Sequence, residues 1–436
     1  MNTSFHKAQS ICRTLRSAGY TALLAGGCVR DRLLGVEPKD YDIATAATPD
    51  EVAALFPKCI PVGVAFGVQI VILDHEQFEV ATFRTDGAYS DGRRPDSVRF
   101  TTAEEDALRR DFTVNALFMD PETEEIIDYV NGRADLEARC IRAVGDPVQR
   151  FEEDHLRLMR AIRFASQLDF AIDPDTYTAV SQCAPLLKQI SPERIRNELE
   201  RILTQPRAHI AFQRLYDTGL LAEFFPELCD AVGCEQPPQF HPEGDVFTHT
   251  LLLLEHLENP SFTLAMGALL HDIGKPPTQT FEDRIRFNFH EKVGAEMSKV
   301  ICRRLRMSNE ESERITWLVA NHMRIACAQE MRESKRKRLV REEGFEELLD
   351  LMRLDCLGCH RDLSLYDWLK DYAEKLPKKV ARPELLVNGK DLIALGYAPG
   401  PQFKEILVTL EDLQLENQLS TNEEALAYIQ EHWPLG

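Results

Sequence analysis

The sequence has no long apolar run, and this absence excludes a large class of proteins. None of its hydrophobic stretches approaches the ~20 residues that a membrane-spanning helix needs. Its first residues also have no apolar segment of the kind that forms the core of a secretory signal peptide. We therefore expect a cytoplasmic protein that does not interact with membranes.

Cysteine is not arranged for disulfide bonding. The 11 cysteines are odd in number and scattered along 436 residues, unlike the framework of a small secreted domain. This usage is typical of thiols kept reduced in a cytosol. The stretch Cys356–His360 has the spacing of a covalent haem attachment site, but that chemistry requires export, so we interpret it as two thiols on a helix.

Basic residues are in the minority. The chain has 51 Lys and Arg against 71 Asp and Glu, a net charge of −20, which taken alone disfavours a nucleic-acid partner. A basic groove can nevertheless sit on an acidic protein, and arginine is concentrated in residues 150–207. Hydrophobic residues make up 44% and charged residues 28% of the chain, which is a globular composition.

The length suggests about three domains at roughly 150 residues each, and the patterning changes along the chain. Residues 1–145 mix helical and strand-like runs, whereas the later residues follow a helical period. We expect a multidomain protein, an α/β head followed by all-α regions. The predicted domains are a head (1–145), a helical neck (146–235), a His-rich helical domain (236–376) and a helical tail (377–436).

Two glycines and two aspartates in the head form the first candidate site. Gly26 and Gly27 separate a short apolar strand from a helix, where bare backbone N–H groups can bind phosphate. Asp40 and Asp42 are two residues apart, so in a strand they share one face and can bind Mg²⁺ together. Each pattern alone is more often a simple turn or a solvated pair; their combination favours a nucleotide site.

Four ordered motifs carry a resemblance to a known family. They are similar to the head and neck motifs of class II tRNA nucleotidyltransferases and bacterial poly(A) polymerases, which belong to the polymerase-β superfamily. The resemblance covers roughly residues 20–230, and the tail at Leu386–Leu392 with Pro399–Pro401 resembles the bacterial CCA-adding branch. The motifs are Gly26–Asp31, Lys39–Asp42, Arg109–Ala116 and Glu153–Ala161.

The resemblance implies a role for each matching position. Asp40 and Asp42 correspond to the catalytic, Mg²⁺-binding carboxylates, and Gly27 and Arg30 to triphosphate contacts. Arg110 and Asp111 belong to the motif that reads the ribose. The residues that face the incoming base and triphosphate are Asp154, Arg157, Arg160 and Arg163.

The last four residues also make chemical sense as a base reader. We expect a helix over Asp154–Leu168, along which residues three apart form a stripe. Cytosine and adenine both present an amino donor beside a ring acceptor, so an Asp carboxylate and an Arg guanidinium can read both. Without the resemblance, a surface helix with an ion pair is the simpler interpretation.

The family includes enzymes with different products. The stretch Arg84–Pro95 resembles the flexible loop with which CCA-adding enzymes switch from C to A, which disfavours a CC-adding specialist. The acidic tail differs from the basic extensions of poly(A) polymerases. We expect two-metal transfer of C, C and A from CTP and ATP to the 3′ end of tRNA, with release of pyrophosphate; an A-adding enzyme and a poly(A) polymerase remain alternatives.

A second group of residues has the spacing of a metal site. His249, the pair His271-Asp272 and Asp355 occur in the order of an HD-type metal-dependent phosphohydrolase. His290 and His322 lie where two-metal HD proteins add ligands. The resemblance implies a divalent ion of the Mn, Ni, Mg or Fe class. It is compatible with an additional phosphohydrolase activity and with a purely structural role of the site.

Two further alternatives stay open at this level. The protein could be mainly an HD phosphohydrolase with an RNA-holding head, against which the intact Asp40, Asp42 and Asp111 argue. It could also be an RNA-binding scaffold with both sites silent, against which the two complete ligand sets argue. The basic run Lys335–Arg338 reads as a solvated helix face, a minor tRNA contact or a localisation signal. The sequence is compatible with a monomer and with a dimer.

Overall fold

The computed structural model describes residues 3–63, 66–89, 92–93, 95–239, 241–281, 283–377 and 384–435. The chain divides into two compact units, Met1–Cys229 and Asp230–Gly436. Three residues of the predicted switching loop (90, 91 and 94) and most of the predicted boundary at 377–383 lie outside the described residues. Among the described helices, none has the length and apolar character needed to cross a bilayer.

The first unit is built on a mixed sheet. The strands of this unit are β1 (Ala22–Ala25), β2 (Ile43–Thr45), β3 (Cys59–Gly63), β4 (Val68–Leu73), β5 (Glu76–Thr82), β6 (Arg84–Asp86), β7 (Val98–Phe100), β8 (Phe118–Met119), β9 (Ile126–Ile127), β10 (Cys140–Ile141) and β11 (Ala171–Ile172). Within the described residues, seven of them form one sheet in the order β3-β4-β5-β2-β1-β8-β9. β2 pairs with β5 in parallel, and every other pair in this sheet is antiparallel.

The centre of this sheet explains where the first site forms. β1 is apolar and fully buried, and it is followed by Gly26, whose φ of 74° is in the left-handed region that glycine tolerates. A Cβ at Gly26 would also lie 3.0 Å from the Arg110 guanidinium, so the position leaves room for that side chain. β2 begins at Ile43, and Asp42 lies just before it with its carbonyl accepting from the Ala25 N–H at 3.0 Å. The expectation that Asp40 and Asp42 lie within a strand was therefore wrong, because both precede β2.

Helices surround the sheet and continue beyond it. The helices of the first unit are α1 (Thr3–Ser17), α2 (Gly27–Leu33), α3 (Pro49–Leu55), α4 (Ala103–Leu108), α5 (Gly132–Glu137), α6 (Pro147–Glu153), α7 (Arg157–Gln167), α8 (Pro174–Cys183), α9 (Pro192–Leu203), α10 (Ala208–Asp217), α11 (Leu220–Phe224) and α12 (Pro226–Cys229), with 3₁₀ turns at Thr113–Asn115 and Ala184–Gln189. The helix expected over Asp154–Leu168 begins only at Arg157. Asp154 is the C-cap of α6, with an extended backbone (φ −134°, ψ 103°), so it is not part of the helical stripe.

The second unit is mostly helical. Its helices are α13 (Val246–Glu255), α14 (Phe262–Leu270), α15 (Lys275–Thr278), α16 (His290–Arg304), α17 (Asn309–Ile325), α18 (Glu333–Arg341), α19 (Phe345–Gly358), α20 (Ser364–Lys375), α21 (Gly389–Ala394), α22 (Pro401–Leu415) and α23 (Asn422–His432). A small hairpin, β12 (Gln279–Phe281) and β13 (Ile285–Phe287), interrupts them and was not expected from the sequence.

The basic run at the start of α18 binds the C-terminal helices. The Lys337 ammonium is 3% exposed and donates to the Leu415 carbonyl at 2.6 Å. Arg338 pairs with Glu411 on α22 at 2.7 Å, and Arg336 stacks over Trp368 with its Cζ 5.1 Å from the ring centre. The expectation of a solvated helix face was therefore wrong for these side chains, because three of the four basic residues bind within this unit.

Candidate functional site

A cavity of about 1030 Å³ lies in the first unit. It is lined by all the nucleotide-site residues that the sequence analysis predicted in the head and the neck. Its walls come from the β1–α2 turn, the segment before β2, strand β5, the segment after α4, and α7. The predicted residues that line it are Gly27, Arg30, Asp40, Asp42, Arg110, Asp111, Asp154, Arg157, Arg160 and Arg163.

The floor of the cavity holds three carboxylates, one of which the sequence analysis missed. Glu79 lies on β5, the strand that pairs in parallel with β2, and it lines the cavity together with Asp40 and Asp42. Burial, followed by the charges of Glu79 and Asp40, raises the pKa of Asp42 to about 7. Burial and the charge of Asp40 likewise raise the pKa of Glu79. Carboxylates that repel one another in this way fit a divalent cation, whose charge removes the repulsion.

Arg30 is fixed beside these carboxylates by neutral and charged partners. It lies in the short helix α2, and its Nη1 donates to Asn115 Oδ1 at 2.5 Å while Nη2 donates to Asp31 Oδ1 at 2.7 Å. The side chain is buried and lines the cavity. The arrangement presents a cation of fixed orientation to an anionic ligand.

One buried aspartate holds both arginines of the Arg-Arg-Asp motif. Asp106, in α4, accepts from Arg109 at 2.7 Å through Oδ1 and from Arg110 at 3.1 Å through Oδ2. Its side chain is 2% exposed. Although burial alone would raise the pKa of Asp106, the charges of these two arginines lower it. Asp106 therefore stays ionised and orients Arg110 towards the cavity.

The buried Asp111 pairs with Arg160 of α7, whose side chain is 32% exposed. Both Nε and Nη2 of Arg160 donate to Asp111 Oδ2, at 2.9 and 2.5 Å. Burial alone would raise the pKa of Asp111, but the charge and hydrogen bonds of Arg160 lower it to about 2. Asp111 Oδ1 also accepts from the Phe112 N–H at 2.8 Å, so the carboxylate is held from two sides.

Asp154 is not paired with Arg157, as a helical stripe would allow, but with a residue of α9. Arg194 Nη2 lies 2.9 Å from Asp154 Oδ1 and 3.1 Å from Oδ2. The Leu156 N–H also donates to Oδ1 at 3.1 Å. The Asp154 side chain remains 21% exposed, so the carboxylate still faces the cavity.

Arg157 is held in place by three hydrogen bonds. Its Nη1 donates to Glu153 Oε2 at 2.7 Å and to the Arg150 carbonyl at 3.1 Å, and Nη2 donates to the Arg109 carbonyl at 3.1 Å. These bonds use three of the five N–H groups of a guanidinium and leave two for a ligand, within the part of the chain described.

Arg163 is farther along α7 and forms an enclosed ion pair. Its Nε donates to Glu198 Oε2 at 2.7 Å, and the two side chains are 9% and 2% exposed. Its guanidinium also lies over the Phe164 ring, 4.1 Å from the ring centre. The pair links α7 to α9, the helix that also carries Arg194.

The second unit brings together all six residues of the predicted metal site. One group consists of His249, His271 and Asp355, and another of Asp272, His290 and His322; within each group the ligand atoms lie within 4.8 Å of one another. The closest approaches include Nε2–Nε2 distances of 3.3 Å for His249 and His271 and 3.2 Å for His290 and His322. Five different helical segments supply these residues.

Asp272 joins the two groups. Its Oδ2 lies 3.2 Å from His271 Nε2 and 3.8 Å from His249 Nε2, whereas Oδ1 lies 3.4 Å from His290 Nε2 and 3.7 Å from His322 Nε2. Burial alone would raise the pKa of Asp272, but His271 and Lys275 lower it well below its usual range. A carboxylate that presents one oxygen to each group has the geometry to bridge two cations.

The imidazoles are oriented for metal binding by their outer nitrogens. Nδ1 of His271, His290 and His322 lies 2.8, 2.9 and 2.7 Å from the backbone carbonyl three residues earlier. A proton on Nδ1 leaves Nε2 with a free lone pair, which is the form that binds metal. Burial lowers the pKa of His322 to about 4, so this imidazole stays neutral at physiological pH.

The backbone also permits the close approach of the ligand-bearing segments. Gly274, two residues after Asp272, packs against the start of α16: a Cβ there would lie 2.2 Å from the His290 carbonyl oxygen and 2.6 Å from the Gly294 nitrogen. Only glycine fits at this distance, so Gly274 sets the spacing between Asp272 and His290.

Comparison with known proteins gives the family. Residues 22–142 match the model of the poly A polymerase head domain, 169–232 that of the "Probable RNA and SrmB-binding site of polymerase A", and 287–429 that of tRNA nucleotidyltransferase domain 2. A CCA-adding enzyme of Enterococcus faecalis is 33% identical over 97% of this chain and 94% of its own length. The chain belongs to the family of CCA-adding enzymes.

Other CCA-adding enzymes resemble the chain over different extents. That of Geobacillus stearothermophilus is 49% identical over 51% of this chain, and the chain spans 55% of the length of that relative. The crystal structure of the Bacillus stearothermophilus CCA-adding enzyme in complex with CTP has a TM-score of 0.79 and 31% identity, covering 99% of this chain and 98% of that one. The multidomain, helix-rich architecture with an N-terminal α/β head matches the fold of CCA-adding enzymes.

Sequence reasoning missed several residues of this CCA-adding enzyme family member. Glu79, Asp106, Arg194 and Glu198 carry no recognisable motif by themselves. Arg194 and Glu198 are four residues apart on α9, so they lie on the same face of that helix. This spacing could have indicated that both contact the segment around α7. Glu79 could be found only from the pairing of β5 with β2.

Proposed function

We propose that this protein adds the sequence CCA to the 3′ end of tRNA, using CTP and ATP and releasing pyrophosphate. The observation that carries the proposal is one cavity whose lining combines the carboxylates Asp40, Asp42 and Glu79 with several arginines and with Asp154. Relatives over nearly the full length, at 33% identity, are CCA-adding enzymes, which supports it. The solved CCA-adding enzyme in complex with CTP adds support for the nucleotide.

The carboxylate floor is the proposed Mg²⁺ site. Asp40 and Asp42 are the proposed catalytic ligands, and Glu79 adds a third negative charge. When bound there, Mg²⁺ supplies Lewis-acid activation of the RNA 3′-hydroxyl and stabilises charge on the departing pyrophosphate. The raised pKa of Asp42, about 7, fits a site that a divalent cation completes.

The arginines around the floor are the proposed triphosphate and ribose contacts. Gly27 and Arg30 lie at the β1–α2 turn, where backbone N–H groups and a fixed guanidinium can bind phosphate oxygens. Arg110, oriented by Asp106, and the ionised Asp111 face the same cavity, where a carboxylate can accept from a ribose hydroxyl.

The base is read, in this proposal, by two fixed side chains. Asp154 offers an acceptor to the amino group of cytosine or adenine, and Arg157 offers its remaining N–H groups to the ring acceptor. Uracil and guanine present different edges and leave these groups unpaired, which costs binding energy. Arg160 and Arg163 are the proposed triphosphate-facing residues of α7, each held by its own carboxylate.

The test uses three tRNA substrates, ending before CCA, after C and after CC, each incubated with single nucleotides. Sequencing of the products should show C, C and A added in that order. Addition of A alone, and only to tRNA ending in CC, would replace the proposal with an A-adding enzyme. Long A tails would indicate a poly(A) polymerase.

We further propose that the second unit contains an HD-type metal centre with phosphohydrolase activity. The observation that carries this proposal is the convergence of six buried or half-buried ligands around Asp272. His249, His271, Asp272 and Asp355 would hold one divalent cation, and His290 and His322 would supply ligands for a second. The donor set of imidazoles and carboxylates suits Mn, Ni, Mg or Fe, and such a cation supplies an activated water for phosphoester hydrolysis.

Hydrolysis of p-nitrophenyl phosphate and of a bis-ester analogue, with each metal added to chelator-treated protein, tests the second activity. Dependence on one of these metals supports the centre; hydrolysis unaffected by chelation contradicts it. The proposal also includes four domains, a head, a neck, an HD domain and a tail, with boundaries at residues 145, 235 and 376. It further includes a cytoplasmic location.

A further inference from the structure

His249 differs from the other histidines of the proposed metal centre in what holds its outer nitrogen. For His271, His290 and His322 that partner is a backbone carbonyl three residues earlier. The corresponding carbonyl for His249 belongs to Val246, and the Thr250 hydroxyl already donates to it at 2.8 Å. Within the described residues, His249 Nδ1 makes no such hydrogen bond to a backbone carbonyl, so a different group lies at its outer nitrogen.

Glu243 is that group. Its Oε1 lies 2.8 Å from His249 Nδ1, an ion-pair contact whose angle is not that of a regular hydrogen bond, and its side chain is 7% exposed. The same oxygen lies 2.8 Å from His241 Nδ1, and the His241 ring packs edge-on against the His249 ring with centres 4.9 Å apart. Glu243 precedes α13 by three residues, where the N-terminal end of a helix favours a negative charge.

A carboxylate affects a metal ligand differently from a carbonyl. Because it is charged, it fixes the ring orientation and also increases the basicity of the imidazole, so that Nε2 becomes a stronger donor. Of the four histidines in the described centre, His249 has the closest carboxylate at this outer position: Glu243 lies 2.8 Å from its Nδ1, whereas Glu291 lies 4.0 Å from His290 Nδ1, which already has a carbonyl partner.

We propose that Glu243 is a positioning residue of the second metal centre, where it fixes the orientation of His249 and strengthens it as a ligand for a divalent cation. This inference rests on the proposed HD-type centre. Glu243 itself does not contact the cation, since its oxygen faces the nitrogen of His249 that points away from the cluster. His241, which shares the same oxygen, supports the orientation of Glu243.

The test measures Mn²⁺ affinity rather than catalysis. Full-length protein carrying Asp42→Asn, which weakens the head site, is stripped with chelator and titrated with Mn²⁺ by calorimetry and electron paramagnetic resonance. Glu243→Ala should weaken binding about 10- to 100-fold, the usual effect of losing such an outer partner. Glu243→Gln keeps an oxygen near Nδ1–H but loses the charge. The Mn²⁺ affinity of this variant should therefore lie between that of the parental protein and that of Glu243→Ala.

Two controls separate the possible failures. His271→Ala removes a proposed ligand, and if Mn²⁺ binding persists unchanged in it, the metal centre itself is wrong. If His271→Ala loses binding but Glu243→Ala retains the parental affinity and resonance spectrum, the centre stands and the role of Glu243 is wrong. In protein that retains Asp42, Glu243→Ala should add nucleotides with the parental kcat/KM, which shows that the chain still folds.

Discussion

Removing the carboxylate of Asp154 should reduce the use of CTP and ATP much more than that of UTP and GTP. In the structure this carboxylate is held by Arg194 and by the Leu156 N–H, and it still faces the cavity. It therefore has acceptor capacity left for the amino group that cytosine and adenine share. Asp154→Ala deletes that acceptor and leaves the amino group of a bound base without a partner.

The size of the effect follows from the cost of an unpaired polar group. A buried donor without an acceptor costs about 1–3 kcal/mol. At RT of about 0.6 kcal/mol this corresponds to a fall in kcat/KM of roughly 5- to 150-fold for CTP and ATP. UTP and GTP present no amino group at this position, so their kcat/KM should change by less than about 3-fold on the same scale.

The assay measures kcat/KM for all four triphosphates on two tRNA substrates. CTP is measured on tRNA that ends before CCA and ATP on tRNA that ends after CC, and UTP and GTP are measured on both. Arg194→Ala is the matched control, because it removes the partner of Asp154 while keeping the carboxylate. It should raise KM for CTP and ATP by less than Asp154→Ala does, since the Leu156 N–H still holds one oxygen. If Asp154→Ala lowers kcat/KM equally for all four nucleotides, Asp154 does not read the base and the proposed selection is wrong.

Four further predictions concern chemistry, independence and stability. Asp40→Asn should reduce CTP and ATP incorporation by the same factor in single-turnover assays, because a metal ligand contacts phosphate rather than base; unequal losses would contradict this role. Asp272→Ala should abolish metal-dependent phosphoester hydrolysis and leave nucleotide addition near the parental rate, and a folded variant lacking both activities would refute independent sites. Glu198→Ala leaves the buried guanidinium of Arg163 unpaired and should cost about 3–5 kcal/mol, seen as a lower urea midpoint. Asp111 has its pKa lowered from 3.8 to about 2, so it contributes roughly 2 kcal/mol above pH 4 that is lost as the pH falls towards 2; Asp111→Asn should flatten that part of the pH–stability curve.

Much of the first site was predictable because its residues are close in sequence within each motif. Gly27, Arg30, Asp40 and Asp42 occupy one β-α-β segment, and all of them line the cavity. The family prediction was confirmed by full-length relatives. The roles of the individual residues stay predictions.

The partners of these residues were not predictable, since they come from distant segments. The pairing of Asp154 with Arg194 spans 40 positions, and it forms because Asp154 leaves the helix with an extended backbone before α7 begins. Helical periodicity placed Asp154 on α7, and nothing in the spacing indicated a break at residues 154–156. The third carboxylate, Glu79, required the parallel pairing of β2 and β5.

The sequence predicted which residues form the second site but not how they are arranged around Asp272. The order of His249, His271, Asp272 and Asp355 indicated a metal site, and the structure brings them together with His290 and His322. The division of the two Asp272 oxygens between the two groups depends on side-chain rotamers and on the contact of Gly274 with α16, which no sequence pattern encodes.

The contacts of the basic run with the C-terminal helices limit how the chain can be shortened. A protein cut before residue 384 would lose α22, which packs against α18, and would leave the Lys337 ammonium without the carbonyl of Leu415. Arg338 and Arg341 would lose Glu411 at the same time. Such a truncation would turn a neutralised internal contact into a cationic, partly apolar surface. Shortened proteins should therefore bind RNA and other polyanions non-specifically. Weak RNA binding by a shortened protein should not be taken as evidence for a natural RNA site on this face.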